Sequence, residues 1–174
     1  MDPTSLYVMS VEEVAWGSSL VAITMVMHAV SMLLILRVTR ELANRIESER
    51  SHILPVAPVL TAAWMITLTH LAEVGVWAGF FSWKGLLPNG SISYSFALLS
   101  YTTLGSEYYL PLHWRLLEGM LAMAGLMTFA WSTGVLLTLV QVFQDWHLKR
   151  WSRERAMPKS LSAPVDAPGA KRPD

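Results

Sequence analysis

The segment 100–111, SYTTLGSEYYLP, contains a Thr-Thr-Leu-Gly run at residues 102–105. A threonine hydroxyl followed by backbone carbonyl oxygens can replace the hydration shell of a cation. Glycine permits the positive φ that lets successive carbonyls point inward. The run therefore predicts a cation-coordinating stretch of backbone formed by Thr102, Thr103, Leu104 and Gly105.

Ionisable side chains also stand inside the apolar stretches, where the cost of burial makes them functional candidates. His70 and Glu73 are three residues apart, as are Arg115 and Glu118, and His28 stands alone. Three-residue spacing puts both members of a pair on one helix face. We expect Arg115 and Glu118 to pair near the outer membrane boundary, and His70 and Glu73 to hydrogen-bond to the third membrane helix. His28 is interpreted as a packed or interface histidine.

The composition is that of a membrane protein, since 53% of the 174 residues are hydrophobic and only 15% are charged. A helix needs roughly 20 apolar residues to cross the bilayer. The stretches 14–36, 56–83 and 112–144 are long enough. They predict an all-α membrane protein with three transmembrane helices. The absence of cysteine excludes disulfides and thiolate metal sites, and a formal net charge of zero gives no sign of nucleic-acid binding.

Basic residues near the ends of membrane helices mark the cytoplasmic side. Eleven of the thirteen fall in the first interhelical loop or after the third helix: Arg37, Arg40, Arg45, Arg50, Lys149, Arg150, Arg153, Arg155, Lys159, Lys171 and Arg172. Asp2, Glu12 and Glu13 are expected to precede the first helix, which argues against a secretory signal. The N-terminus is therefore predicted outside and the C-terminal tail in the cytoplasm.

The outer segment between the second and third helices contains a Pro-Asn-Gly turn signal at residues 88–90. It predicts a short helix from about Ser93 to Thr102. Such a helix is too short to cross about 30 Å of hydrocarbon, so it is interpreted as a re-entrant half-helix. Its C-terminal end carries about half a negative charge, which favours a cation in the membrane interior.

In this order, the elements resemble the pore domain of tetrameric potassium-channel-type cation channels, specifically the small bacterial two-helix module with a pore loop. The resemblance covers about residues 56–140. SYTTLG matches the filter pattern, with Ser100 replacing its first threonine, and Pro111 falls where the family often has a proline. The stretch LHWRLLEGMLAMAGLMTFAWSTGVL resembles the inner pore helix, and FAWST is similar to Phe-Gly-Trp-Ser-Thr in a subset of these channels.

The resemblance implies a homotetramer in the bacterial inner (plasma) membrane, with permeant K⁺ or Na⁺, no other cofactor, no nucleic-acid partner and no enzymatic activity. It implies that Phe129 and Thr133 line the pore. Gly125 stands in the place of the gating-hinge glycine, although a packing role is equally compatible with a small residue in a membrane helix. The chain would then comprise an outer segment, first helix and cytoplasmic loop (1–55), a pore domain (56–144) and a basic, largely disordered cytoplasmic tail (145–174).

The filter departs from the family pattern in its second half. Ser106, Glu107 and Tyr108 stand where the family has an aromatic residue, glycine and aspartate. Left-handed backbone at Glu107 would cost roughly 1–2 kcal/mol per chain, so a different outer filter is expected. We predict a mouth lined by Ser106 and Glu107, reduced or uncertain potassium selectivity, and block by divalent cations at a ring of Glu107 carboxylates.

Two other classes of function remain open from the sequence. The missing second filter glycine is compatible with a non-conducting structural or regulatory subunit whose pore has decayed. His28, His70, Glu73 and Glu118 are suitable ligand types for a metal-dependent membrane enzyme or transporter. The second alternative leaves the half-helix and the Thr-Thr-Leu-Gly run unexplained.

Overall fold

The structure is a computed structural model that describes residues 10–48 and 56–156. All regular structure in these ranges is helical. The elements are α1 (Val11–Ser48), α2 (Ala57–Trp83), α3 (Gly90–Tyr101), a 3₁₀ turn (Leu112–Trp114) and α4 (Leu116–Ala156).

Three of these helical stretches are long and apolar enough to cross a membrane: Val11–Arg45, Ala57–Trp83 and Leu112–Asp145. The predicted all-α membrane protein with three spanning helices is confirmed at this level. Large apolar side chains cover the outward faces of all three helices, as lipid contact requires. They include Val26, Leu33, Leu60, Leu68, Met127 and Leu137.

Helix α1 begins earlier and ends later than its uncharged core suggests. Glu12 and Glu13 lie in its first turn rather than before it, where the positive end of the helix dipole favours carboxylates. At the other end, the basic segment continues the helix to Ser48, and Arg45 Nε donates to Glu41 Oε1 at 3.1 Å. Mixed charges at four-residue spacing stabilise such an extension.

Helix α3 also begins earlier than expected, directly at the Pro-Asn-Gly turn. Asn89 is the N-cap, and its side-chain oxygen accepts a hydrogen bond of 2.9 Å from the Ile92 N–H. This bond satisfies one of the free donors of the first turn. The helix ends at Tyr101, and residues 102–111 follow as turn and non-helical backbone.

A largely aromatic core joins α3 to α2, and Leu117 and Leu121 of α4 belong to the same cluster. Trp77, Phe81, Phe96 and Tyr101 are essentially inaccessible, and the Phe81 and Phe96 rings meet edge to face with centroids 5.5 Å apart. Edge-to-face pairs of this kind add stability beyond burial. The core holds α3 against the membrane-length helices.

A belt of tryptophans marks one end of this bundle. Lys84 Nζ lies 4.9 Å from the Trp16 ring centroid, 5.4 Å from that of Trp83 and 5.5 Å from that of Trp114. Lys84 also donates to Glu12 Oε1 at 3.2 Å. Tryptophan and lysine are favoured at the membrane–water interface, so this end of α1 and α2 lies at that level.

The chain divides into two compact units, the first ending at Leu139 and the second beginning at Val140. The first contains α1, α2, α3 and α4 as far as Leu139. In the second, helix α4 continues to Ala156, so the segment assigned to a largely disordered tail begins as helix. The rest of that tail, residues 157–174, lies outside the described residues.

Candidate functional site

Helix α3 runs from the tryptophan end of α2 to the middle of α2. A Cβ added at Gly90 would lie 3.8 Å from Ser82 Oγ, near the last residue of α2. At the other end of α3, Tyr101 Oη hydrogen-bonds to His70 and Glu73. Glu73 is ten residues from Trp83, which corresponds to about 15 Å along a helix.

The chain then returns to the level of the end of α2 by Trp114, thirteen residues after Tyr101. Trp114 packs against Phe80 with ring centroids 6.1 Å apart, close to the end of α2. Residues 102–105 therefore follow the point at which the chain reaches the middle of α2, and from there the chain runs back along α2 towards its tryptophan end. This is the position at which the sequence predicts cation-coordinating backbone.

A Schellman motif ends α3 and sets the backbone of this segment. The Leu104 N–H donates to the Leu99 carbonyl at 2.9 Å, and the Thr103 N–H donates to the Ser100 carbonyl at 3.0 Å. The motif places Thr103 in the left-handed region, with φ of 62°. Glycine usually occupies this position because a β-branched residue is strained there.

Gly105 has a φ of 76°, and Leu104 between the two does not have a positive φ. Thr103, Leu104 and Gly105 are all exposed in the single chain, Leu104 to 76%. Thr102 differs from Thr103, because its hydroxyl donates to the Leu98 carbonyl at 2.9 Å. Within the described ranges, no group hydrogen-bonds the Thr103 hydroxyl.

The two outer filter positions are arranged as an open loop. Ser106 Oγ accepts a hydrogen bond of 3.1 Å from the Tyr108 N–H. Glu107 is exposed and does not have a positive φ, so the backbone strain considered for it from the sequence is absent. The strain is carried by Thr103.

Gly125 makes a close backbone contact. A Cβ added there would lie 2.1 Å from the Tyr101 carbonyl oxygen. Glycine at this position therefore allows the end of α3 to lie directly against α4, which is the packing role considered from the sequence. One turn further along α4, the Phe129 ring lies 5.5 Å from the Tyr101 ring and remains 39% exposed. Thr133 is also exposed, and its hydroxyl donates to the Phe129 carbonyl at 2.8 Å.

At the end of α3, directly before residues 102–105, lies a closed ring of five hydrogen-bonded side chains. We call it the polar ring; its members are His28, Glu73, Tyr101, His70 and Ser132. Tyr101 Oη lies 2.5 Å from Glu73 Oε2 and 2.8 Å from His70 Nδ1. His28 Nδ1 lies 2.8 Å from Glu73 Oε1. Ser132 Oγ closes the ring, at 3.2 Å from His28 Nε2 and 3.1 Å from His70 Nε2.

The polar ring connects all four helices and is shielded from water. The side chains of His28 and Glu73 are inaccessible and that of His70 is 10% exposed. Thr128 flanks the ring, with its hydroxyl 2.5 Å from Tyr101 Oη. The hydrogen bond expected between His70 and the third membrane helix is thus present, through Ser132 of α4. Glu73, for which the same was expected, bonds instead to His28 of α1 and Tyr101 of α3.

The structure separates the other predicted pair. Arg115 lies over the Tyr109 ring at 5.4 Å, and no ion pair joins it to Glu118 among the described residues. His28, which was interpreted as a packed or interface histidine, is fully buried as expected and is also a member of the polar ring. Glu118 is not part of the ring, so the sequence-based metal set of His28, His70, Glu73 and Glu118 is not assembled as a unit.

Sequence reasoning missed Tyr101, Thr128 and Ser132. A weak signal was available, because Thr128 and Ser132 are four residues apart on α4 and share a face at this spacing. It also missed Glu13, which is buried and accepts a hydrogen bond of 2.6 Å from the Leu116 N–H at the start of α4. The carboxylate caps a helix that is distant in sequence.

The polar ring has the donor types of a cation site. One ligand atom each from His28, His70 and Glu73 lies within 4.8 Å of the others. The chain matches no protein-family model, no curated protein and no solved structure. Its function is therefore inferred from its own residues.

Proposed function

We propose that the protein is a homotetrameric cation channel of the potassium-channel superfamily. Monovalent cations, K⁺ or Na⁺, pass through a filter at residues 103–105, which the re-entrant helix α3 carries into the membrane. Helices α2 and α4 are the outer and inner helices of the pore, with Phe129 and Thr133 facing its cavity. Helix α1 packs outside this module.

The strained Thr103 carries the proposal. Its left-handed backbone costs roughly 1–2 kcal/mol that glycine would avoid. Its hydroxyl is exposed, and no hydrogen-bond partner for it lies in the described part of the chain. A strained residue with an unused ligand group is characteristic of a functional site. A ring of four threonine hydroxyls and the carbonyls beside them could replace the water around a cation.

The depth of the segment supports an aqueous axis. Residues 102–105 follow Tyr101, which lies about 15 Å from the tryptophan belt, or half of a hydrocarbon core of about 30 Å. Non-helical backbone at this depth is tolerated only where protein covers it or water reaches it. Since the segment is exposed in one chain, an assembly of several copies around a water-filled axis satisfies its backbone groups.

Paired substitutions at Thr103 test the filter. Thr103→Gly relieves the backbone strain and removes the hydroxyl, whereas Thr103→Ser keeps the hydroxyl. If the residue only ends α3, glycine should be at least as good as serine. If it lines a filter, potassium flux and the K⁺/Na⁺ permeability ratio in proteoliposomes should fall in Thr103→Gly and persist in Thr103→Ser.

Thermal unfolding controls for misfolding, since the glycine variant should be at least as stable as wild type. An unchanged permeability ratio in Thr103→Gly would refute the assigned filter. A tetrameric wild type that passes no cation would instead favour the non-conducting subunit. A wild type that is not tetrameric would exclude the proposed pore.

Glu107 is proposed to form a carboxylate ring at the outer mouth. Four carboxylates concentrate cations, divalent ones most strongly, so external Ca²⁺ or Ba²⁺ should compete with monovalent current. Glu107→Gln should weaken this competition and lower conductance at low salt, with little difference at high salt where charges are screened. Glu41→Gln is the matched control. Glu41 lies near the C-terminal end of α1, which the proposed orientation places on the cytoplasmic side, so this change should alter neither the divalent block nor the conductance. Equal divalent block in both variants would place the competing site elsewhere.

We assign the protein to the bacterial inner membrane with the N-terminus outside and the C-terminus in the cytoplasm. The segregation of basic residues supports this orientation. The chain has no cysteine, so single cysteines report it directly. Ser91→Cys should react with an impermeant thiol reagent from outside and Asn44→Cys only from inside; the opposite pattern would reverse the assignment.

A further inference from the structure

The shortest contacts of the polar ring favour one arrangement of its hydrogens. Ser132 Oγ lies 2.8 Å from the Thr128 carbonyl oxygen, closer than either imidazole, so its single hydrogen goes to that carbonyl. Ser132 can then only accept from the two imidazoles. In this arrangement both His28 and His70 carry a hydrogen on Nε2, and in their neutral forms both have a lone pair on Nδ1.

The remaining contacts outnumber the available hydrogens. Three contacts need one each: His28 Nδ1 with Glu73 Oε1, His70 Nδ1 with Tyr101 Oη, and Tyr101 Oη with Glu73 Oε2. Thr128 contributes its own hydrogen to a fourth contact with Tyr101, its shortest at 2.5 Å. With every side chain neutral, only the carboxylic acid and the phenol supply hydrogens, so one of the three contacts would bring two lone pairs together.

A third proton would fill that contact but would give the cluster a net positive charge. His28 and Glu73 are inaccessible to solvent, and no second carboxylate from the described residues contacts the ring. An uncompensated charge in such a site is strongly unfavourable. In this arrangement protons alone satisfy either the hydrogen bonds or the charge balance. Giving the Ser132 hydrogen to His70 Nε2 satisfies both in a neutral ring, but only by giving up the 2.8 Å contact with the Thr128 carbonyl.

We propose that the polar ring binds one divalent transition-metal ion of the zinc class. Its ligands are His28 Nδ1, His70 Nδ1, a Glu73 carboxylate oxygen and the Tyr101 phenolate. On binding, the Glu73 carboxylic acid and the Tyr101 phenol each lose a proton. The two positive charges of the ion balance the resulting carboxylate and phenolate, so the site has no net charge. Imidazole and carboxylate ligands suit zinc.

The distances and outer contacts fit this assignment. Ligand atoms of a tetrahedral zinc site lie about 3.3 Å apart, given bonds of about 2.0 Å. The donor pairs in direct contact are 2.5–3.4 Å apart and would separate by at most about 0.8 Å, and one ligand atom each from His28, His70 and Glu73 lies within 4.8 Å of the others. Ser132 accepts both Nε2–H groups, which is the second contact that orients a metal-bound imidazole. The metal would join α1 and α2 to the end of α3, immediately before Thr103, and Ser132 would link the two imidazoles to α4.

Metal content tests the proposal directly. Protein purified without a histidine tag is stripped with a chelator, equilibrated with Zn²⁺ and analysed for bound zinc. Wild type should retain one zinc per chain and His28→Gln almost none. His113→Gln is the matched control, because His113 is exposed and outside the ring, and it should retain the full zinc content.

Ser132→Ala keeps all four ligands, so it tests the metal site even if His28→Gln does not fold. It should bind zinc with roughly 10–100-fold lower affinity. Wild type that is helical and monodisperse but binds no zinc would overturn the proposal and leave a proton-filled ring. Equal zinc content in folded His28→Gln, or unchanged affinity in Ser132→Ala, would also overturn it.

Discussion

Glu73→Leu is expected to lower the free energy of unfolding by roughly 3–5 kcal/mol, as for the loss of one partner from a buried charged network. Leucine is close in size to glutamate, so the loss comes from polarity rather than volume. His28 Nδ1 loses its partner at 2.8 Å and Tyr101 Oη loses its partner at 2.5 Å. Neither group can reach water, because both residues are fully buried.

Unfolding of the purified protein in mixed micelles, followed by helical circular dichroism, measures this effect. Glu118→Leu is the matched control, because Glu118 is only partly buried and lies outside the polar ring. Its effect should remain within about 0.5 kcal/mol. Glu73→Gln should fall between the two, since an amide can donate to His28 and accept from Tyr101. If Glu73→Leu unfolds like Glu118→Leu, the polar ring does not stabilise the fold.

Gly125→Ala should destabilise the protein by roughly 1–3 kcal/mol, although alanine is the better helix former. The added methyl group would meet the Tyr101 carbonyl oxygen at 2.1 Å, and backbone cannot rotate away as a flexible side chain can. The end of α3 must therefore shift away from α4, which displaces Thr103. Cation flux should fall along with stability.

Gly134 lies on the same helix and Gly134→Ala provides the comparison, because no described atom outside the adjacent helix backbone comes within 4 Å of its added Cβ. It should be neutral or stabilising by up to about 1 kcal/mol, the helix-propensity gain. The two variants are compared by unfolding and by yield of assembled protein. Equal stability of Gly125→Ala and Gly134→Ala would show that the α3–α4 contact is looser than its geometry indicates.

Local features of this protein could be predicted from the sequence. The three membrane-length helices follow from uninterrupted apolar stretches, because each residue in lipid must be apolar and each backbone group must bond within its own helix. The Pro-Asn-Gly turn signal predicted the start of α3, and the Asn89 side chain caps that helix. The predicted helix ends differ from the observed ones by up to four residues, except that α1 and α4 continue as charged helix for twelve residues beyond the apolar stretches that end at residues 36 and 144.

The polar ring was decided only by tertiary structure. Its hydrogen bonds join residues 28, 31, 45, 62 and 104 positions apart, and no periodicity says which faces of separate helices will meet. His28 looked isolated because its partners come from α2 and α4, and Tyr101 looked like an ordinary apolar residue of a short helix. The left-handed Thr103 was equally hidden, because its conformation is imposed by the way α3 ends against Gly125 and not by the preference of threonine itself.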